Sequence, residues 1–154
     1  MSRYSSHLIK QKVPSLSQGT GVLNMDKFVE NKIENKVVII EFWTYGCYNC
    51  INTLPFMVKT HKEFKDQPVE FIGIHTPEFD YEKPLNNVKK AVEKYGIKYP
   101  VIQDNNFKIW NSFNNRWWPH FFIVDKKGII RYNFVGEGHD KEIRNKINEL
   151  LLEI

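Results

Sequence analysis

The chain has 154 residues, of which 42% are hydrophobic and 26% charged, so its composition predicts one folded domain with a buried core and excludes a disordered chain. The net charge of +4 is mild for this length, and 18 of the 22 basic residues are Lys interleaved with acids. Surfaces that read nucleic acids favour Arg and concentrate their charge, so we expect no nucleic-acid partner.

The first 20 residues are polar and rich in Ser, and we interpret residues 1–20 as a lead-in segment before a domain at residues 21–154. They contain no apolar segment of the kind that follows the charges of a secretory signal peptide. No apolar run in the chain approaches the roughly 20 residues that a membrane-spanning helix needs, so we expect no membrane span.

The first half of the domain is predicted to alternate helices with buried strands. Apolar spacing after a cap at Asp26 favours a helix, and an unbroken β-branched and aromatic run is typical of a central strand covered on both faces. A long helix interrupted by Pro55 and a second buried strand follow. In chain order, the four elements are predicted at residues 26–34, 37–43, 47–64 and 69–74.

The second half is predicted to end in a hairpin and a helix. Pro84 suits the first turn of a helix that runs to Lys94, and Gly128 marks the turn of the hairpin. Alternating strands and helices followed by a hairpin predict an α/β fold, whose sheet has helices on both faces and an antiparallel edge. The remaining elements are predicted at residues 106–113 (a short helix), 121–124 and 129–135 (the hairpin), and about 143–151 (an amphipathic helix).

The chain has two cysteines, Cys47 and Cys50, which are too few for a disulfide scaffold or a four-thiolate zinc site. Three interpretations of the two cysteines remain: a redox pair, half of a metal site, or a coincidence of spacing. At a helix start, Cys47 would meet the free N–H groups and positive dipole end that favour a thiolate. Cys50, one turn deeper, would suit the release of a mixed disulfide. We therefore predict Cys47 as the nucleophile and Cys50 as the resolving cysteine.

The surrounding residues resemble the thioredoxin superfamily. The shared features are an acid and aromatics at the end of the central strand, the CxxC pair, a proline inside the active-site helix, and a proline just before the next strand. The fuller pattern, over residues 12–152, is similar to the bacterial redoxin branch of TlpA-like and DipZ C-terminal-like domains. It consists of Glu41-Phe42-Trp43-Thr44, Asn49-Cys50, Leu54-Pro55, His75-Thr76-Pro77-Glu78-Phe79, Asn114-Asn115-Arg116, Trp118-Pro119 and Gly136-Glu137-Gly138.

This resemblance implies a thioredoxin fold, a central mixed sheet with helices on both faces, here with an N-terminal extension. It also implies roles for two further residues. Glu41 takes the place of a buried strand acid that relays a proton for Cys50, and burial would raise its pKa; the alternative is a carboxylate in water at the strand edge. Pro119 takes the place of a cis-proline that faces the disulfide, offers the backbone of Trp118 to an extended substrate and blocks metal coordination.

Aromatic residues cluster in sequence around the predicted site. Tyr45, Tyr48, Trp117 and Trp118 are candidates for an apolar collar that binds a partner's peptide, whereas core packing is the better interpretation of Trp43. The histidines nearest the site in the predicted fold, His75, His120 and His139, are better explained by structural or solvated roles, because no spacing ties them to the thiols.

The predicted function is a thiol–disulfide oxidoreductase that exchanges disulfides with protein thiols, needs no cofactor, works as a monomer and relies on a separate redox partner protein. The residues Tyr48-Asn49 add no cation between the cysteines, which favours the reductase or isomerase direction. One alternative is a copper or zinc module that uses both cysteines and a histidine. Another is a thiol peroxidase, since Thr44-x-x-Cys47 has the peroxiredoxin spacing, although without the preceding proline.

The expected compartment depends on the N-terminal sequence and on the family resemblance. As written, without a leader, the chain is expected in the cytoplasm. If it is an excised or processed domain, the resemblance implies a site outside the cytoplasm, in the periplasm.

Overall fold

The computed structural model describes residues 6–154 and has a six-stranded mixed sheet with helices on both faces. The strands lie in the order β1-β4-β3-β2-β5-β6. In chain order, the elements are β1 (Gly21–Leu23), β2 (Val37–Trp43), α1 (Tyr48–Glu63), β3 (Val69–His75), α2 (Leu85–Lys94), β4 (Val101–Gln103), α3 (Lys108–Ser112), β5 (His120–Val124), β6 (Ile130–Val135) and α4 (Asp140–Leu151). This is the thioredoxin-type α/β fold that the sequence predicts.

The central strand β2 is buried along its whole length. It pairs in parallel with β3 on one side and antiparallel with β5 on the other, so neither of its edges is free. A strand covered on both faces needs apolar side chains in both directions, which explains the unbroken apolar run that predicts it. Because β2 leads into α1, the first turn of α1 lies at the carboxyl end of the middle of the sheet.

The two faces of the sheet carry separate apolar cores. One face packs against α1, α2 and α4 and includes Val37, Ile39 and Trp43 of β2. The other packs against α3 and the N-terminal segment and includes Ile40 and Phe42. Successive side chains of a strand point to opposite faces, so Glu41 faces α1 together with Ile39 and Trp43.

The predicted set of elements needs three corrections. The helix predicted at residues 26–34 is only a 3₁₀ turn, Glu30–Ile33, because the side chain of Glu30 binds Ser15 and the backbone N–H of Leu16, and Asn35 takes a positive φ of 60°. The short strands β1 and β4 were not predicted. Each has three residues, and β1 exists through its antiparallel pairing with β4, which is a tertiary contact.

The described part of the lead-in segment packs onto the domain. Leu16 is fully buried, and the backbone N–H groups of Lys10 and Val13 donate to Ile130 and Gly128 at 2.8 Å each. A domain boundary at residue 21 stays a prediction. Within residues 6–154, no helix has both the length and the apolar character that crossing a bilayer requires.

Candidate active site

The two cysteines lie at the start of α1, as predicted. Cys47 is the N-cap residue, and its Sγ accepts a hydrogen bond of 3.2 Å from the backbone N–H of Cys50. Both are free thiols; Cys47 is half-buried, whereas Cys50 is fully buried in the core beneath it. A disulfide partner from solution can therefore reach Cys47 but not Cys50.

The two thiols differ in acidity. The hydrogen bond with Cys50, supported by backbone N–H groups at the helix start, lowers the pKa of Cys47 to about 7, although burial and the charge of Glu78 oppose this shift. Burial raises the pKa of Cys50 far above its ordinary value, and the neighbouring Cys47 and Glu41 raise it further. Near neutral pH, Cys47 is thus substantially thiolate while Cys50 keeps its proton.

Glu41 lies directly below this pair. It is fully buried, which excludes the alternative of a solvated carboxylate at the strand edge. Thr53 Oγ1 on α1 donates to Glu41 Oε2 and also lies 2.7 Å from the backbone oxygen of Cys50. Burial raises the pKa of Glu41 to about 8, and the hydrogen bond from Thr53 offsets only part of the shift. Glu41 can therefore hold or release a proton in the neutral pH range. Glu41 and Cys50 are linked through Thr53, which lies one helical turn after Cys50 and bonds both the Glu41 carboxyl group and the Cys50 backbone oxygen.

Buried polar atoms without partners occur on this face of the sheet. Glu41 Oε1, Trp43 Nε1 and the Tyr99 hydroxyl are all buried without a hydrogen bond. Gly73, which pairs with Glu41 across the sheet, leaves room for the rings of Trp43 and Tyr99, because a Cβ at this position would lie 2.8 Å from Trp43 Nε1 and 3.4 Å from the Tyr99 ring. Sequence reasoning missed Tyr99, since no motif connects the end of a helix–strand loop with β2.

The Trp118–Pro119 peptide bond is cis, as the resemblance implies. The backbone oxygen of Trp118 lies 3.8 Å from Cys47 Sγ, and Trp118 Nε1 donates to the backbone oxygen of Thr76 at 2.8 Å. The preceding turn is held by Asn115 Oδ1, which accepts from the N–H groups of Arg116 and Trp117 and lies 2.7 Å from His120 Nδ1. The structure thus brings residues 118–119 beside the nucleophile.

The predicted aromatic collar is only partly exposed. Tyr48 is 79% exposed and Trp117 42%, while Tyr45 and Trp118 are half-buried and Trp43 belongs to the core. Two further exposed aromatics were missed. Phe79 and Tyr81 stack with ring centroids 5.9 Å apart, and the Tyr45 hydroxyl donates to the backbone oxygen of Tyr81 at 2.7 Å. Their position after β3, whose end lies next to that of β2, is the signal that could have found them.

His75 and His120 are both fully buried. His75 lies between the rings of Trp43 and Tyr45, and burial lowers its pKa to about 3. Burial likewise lowers the pKa of His120 to about 4. Both imidazoles are neutral at physiological pH and supply no positive charge to the Cys47 thiolate. Among the described residues, no group of three or more His, Cys, Asp and Glu side chains is placed to hold a metal ion.

Thr44 and Glu82 form a second buried polar contact that sequence reasoning missed. Both side chains are fully buried, and Thr44 Oγ1 donates to Glu82 Oε1 at 2.7 Å. The threonine with peroxiredoxin-like spacing therefore directs its hydroxyl group to a carboxyl group at the back of the active-site turn. Glu82 follows β3 by seven residues and carries no recognisable motif.

The comparisons with known proteins agree with this geometry. The family model described as Redoxin matches residues 10–151. The chain is 38% identical over 141 residues to Protein DipZ of Mycobacterium bovis, covering 90% of this chain but 20% of DipZ. It is 23% identical over 145 residues to the thiol-disulfide oxidoreductase YkuV of Bacillus subtilis, covering 94% of this chain and 97% of YkuV.

A solved structure shows the same fold. It is the solution structure of a thioredoxin-like protein in the oxidized form, which superimposes with a TM-score of 0.84 at 23% identity, over 94% of this chain and 97% of that chain. The chain spans about a fifth of the length of DipZ, so the comparison concerns one domain of that relative. With a family model matched along almost its whole length, the chain belongs to the redoxin family.

Proposed function

We propose that this domain is a thiol–disulfide oxidoreductase that exchanges disulfides with protein thiols through Cys47 and Cys50. The observation that carries the proposal is the asymmetry of the pair: Cys47 is accessible and has a pKa of about 7, whereas Cys50 is buried and its pKa is raised. Relatives that match the chain over most of its length carry the name thiol-disulfide oxidoreductase, which supports the reaction class.

The first step is attack by the Cys47 thiolate on one sulfur of a substrate disulfide. The substrate S–S bond breaks, a mixed disulfide forms, and the departing substrate thiolate takes a proton from solvent. In the second step, Cys50 attacks Cys47 Sγ and expels the second substrate thiolate. The substrate gains two electrons, and the domain is left with a Cys47–Cys50 disulfide, which a separate redox partner protein must reduce.

The second step requires Cys50 to lose its proton inside the core. Glu41 is the buried group next to it that can accept one, because its pKa of about 8 lies near neutrality and Thr53 touches both Glu41 and the backbone of Cys50. Glu41 therefore acts as the general base for Cys50 in this direction and as the general acid in the reverse direction.

The substrate lies across Cys47 and residues 118–119. The backbone of Trp118, held by Pro119 and by the bond from Trp118 Nε1 to Thr76, offers an edge on which an extended segment can pair. Tyr45, Tyr48 and Trp117 supply the apolar contacts on either side of the reactive sulfur. This arrangement supports peptide segments of proteins as the substrate class.

The reductase or isomerase direction is favoured. Strongly oxidising cysteine pairs have a nucleophile whose pKa is depressed to roughly 3.5, because a stable thiolate favours the reduced form. Here no positively charged side chain contributes to the acidity of Cys47, and its pKa of about 7 resembles that of reducing pairs. A measured reduction potential near roughly −120 mV would contradict this direction.

Insulin reduction by dithiothreitol tests the reaction. The domain should accelerate it, Cys47→Ser should return the rate to that of dithiothreitol alone, and Cys50→Ser should accumulate a mixed disulfide visible by mass spectrometry. Cys50→Ser is the matched control, since it makes the same atomic change at the buried position. Absence of any acceleration by the unmodified domain would refute the proposed function.

A further inference from the structure

A buried carboxyl group lies behind the turn that carries the nucleophile. Glu82 is fully buried, and its Oε1 accepts from Thr44 Oγ1 at 2.7 Å and from the backbone N–H groups of Glu78 at 2.8 Å and Phe79 at 3.3 Å. Thr44 belongs to the turn between β2 and α1, and its backbone oxygen accepts from the N–H of Cys47 at 3.2 Å. One oxygen atom therefore joins the active-site turn to the segment that follows β3.

Gly46 shows how closely the two segments approach. A Cβ at this position would lie 1.9 Å from Glu82 Oε2 and 2.9 Å from the Tyr81 hydroxyl. The second oxygen of Glu82 therefore occupies the space that a side chain at position 46, immediately before Cys47, would need. The glycine is required here by the carboxyl group behind it, so the contact with Glu82 extends over both Thr44 and Gly46.

The segment held by Glu82 lies beside the active-site turn, where the Tyr45 hydroxyl donates to the backbone oxygen of Tyr81 at 2.7 Å. It carries Glu78, whose negative charge raises the pKa of Cys47, and the exposed stacked pair Phe79 and Tyr81. The other titratable groups that act on Cys47 are Cys50 on α1 and Glu41 on β2. Both lie on the core side of the thiol, so Glu78 is the charge that this segment brings to it.

We propose that Glu82 is a positioning residue for the reactive thiol: its buried carboxyl group holds residues 78 and 79 against the turn that carries Cys47 and so fixes Glu78 beside it. This inference deepens the proposed function and rests on it for its biological meaning. Fixing a negative charge next to the nucleophile limits how far its thiolate is stabilised. The thiol then stays reactive without becoming the good leaving group of a strong oxidant.

Alkylation of the reduced domain by iodoacetamide, followed against pH, measures this effect directly. Glu78→Gln is made in the natural sequence, in Glu82→Gln and in Glu82→Ala, and peptide mass mapping confirms that Cys47 is the residue modified. In the natural sequence Glu78→Gln should raise the rate at pH 6 about twofold, because a nearby negative charge is removed. Gln at position 82 keeps an acceptor oxygen, so the same ratio is expected there, whereas in Glu82→Ala the ratio should fall to about one.

Glu34→Gln is the matched control, because Glu34 is exposed at the opposite end of β2 and its substitution should leave the rate unchanged. If Glu82→Ala does not fold, Thr44→Val replaces it, since it removes the hydroxyl donor at similar volume and should lower the Glu78 ratio. An equal Glu78 ratio in every background, or no effect of Glu78→Gln in the natural sequence, would overturn the proposal. Alkylation does not require disulfide exchange, so this failure is distinct from a failure of the insulin assay.

Discussion

Two acidic residues at opposite ends of the β2–β5 pair show how differently the domain treats its carboxyl groups. Asp125 follows β5 in the hairpin turn, where its Oδ1 accepts from the N–H groups of Lys127 and Ile129 and its Oδ2 lies 3.2 Å from Arg131. Glu41, at the other end, has Thr53 as the partner of one oxygen and no partner for the other. Its pKa is raised to about 8, mainly by burial.

This difference separates a structural acid from a reactive one. Both carboxylate oxygens of Asp125 accept hydrogen bonds, one from backbone N–H groups and the other from the guanidinium of Arg131, so the negative charge stabilises the turn. Glu41 is buried with too few donors, so its charged form is disfavoured and its proton becomes available to chemistry. The following substitutions test the two ends against each other.

The largest effect is expected from Glu41→Gln, as a change in the pH dependence of stability. The folded pKa of Glu41, about 8, exceeds its ordinary value of 4.5, so the native state holds this proton more tightly than the unfolded state. The associated stability is fully present below about pH 4.5 and is lost as the pH rises through 8. Glu41→Gln should therefore match the natural domain at pH 5 and exceed it at pH 9 by several kcal/mol, on the order of 4.

Urea unfolding of the reduced domain at both pH values measures this difference, and a gap that does not change with pH would contradict the buried, protonated state. The same variant should lose the pH dependence of the second exchange step. If that dependence is unchanged in Glu41→Gln, Glu41 does not relay the proton.

A smaller effect of a different kind is expected at the other end. Asp125→Ala removes the acceptor of two backbone N–H groups and a partner of Arg131, and should lower the free energy of unfolding by about 2 kcal/mol. Asp125→Asn keeps an acceptor oxygen and should cost less. The rate of Cys47 alkylation, measured alongside urea unfolding, should be unchanged in both; a slower rate would show that the two ends are coupled.

The smallest effect on the fold is expected from Tyr48→Ala. This side chain is 79% exposed, so its loss should change the free energy of unfolding by less than about 0.5 kcal/mol. It should raise KM for a protein disulfide about fivefold, the equivalent of one apolar contact of about 1 kcal/mol, without changing alkylation of Cys47. Leu152→Ala, at an exposed position after α4, is the control, and an equal KM in the two variants would remove Tyr48 from the substrate surface.

The sequence predicted those parts of the fold and of the site that local chemistry determines. The apolar run of β2, the cysteine spacing at a helix start and the turn at Asp125 and Gly128 each fix their structure within a few residues; Gly128 takes the positive φ of 79° that this turn needs. The cis bond before Pro119 came from the family resemblance rather than from its own neighbours.

What could not be predicted depends on contacts between distant segments. Glu82 bonds to Thr44, 38 residues away in the chain, and the rings of Trp43 and Tyr99 both pack against Gly73, which has no Cβ to keep them away. The strands β1 and β4 are too short for a periodic signal, and their pairing joins residues about 80 positions apart. The prediction of a helix at residues 26–34 was wrong for the same reason, because the side chain of Glu30 accepts hydrogen bonds from Ser15 and Leu16 of the N-terminal segment.

Because Cys50 is buried beneath Cys47, its accessibility to a thiol reagent reports whether the domain is folded. In the folded, reduced protein a membrane-impermeant thiol reagent meets a single sulfur atom, whereas the opened chain presents two. The fraction of molecules that carry two labels rather than one therefore measures how often the core opens around Cys50, without the introduction of a further cysteine. The buried thiol of the CxxC pair is therefore also a natural reporter of unfolding in the core of the domain.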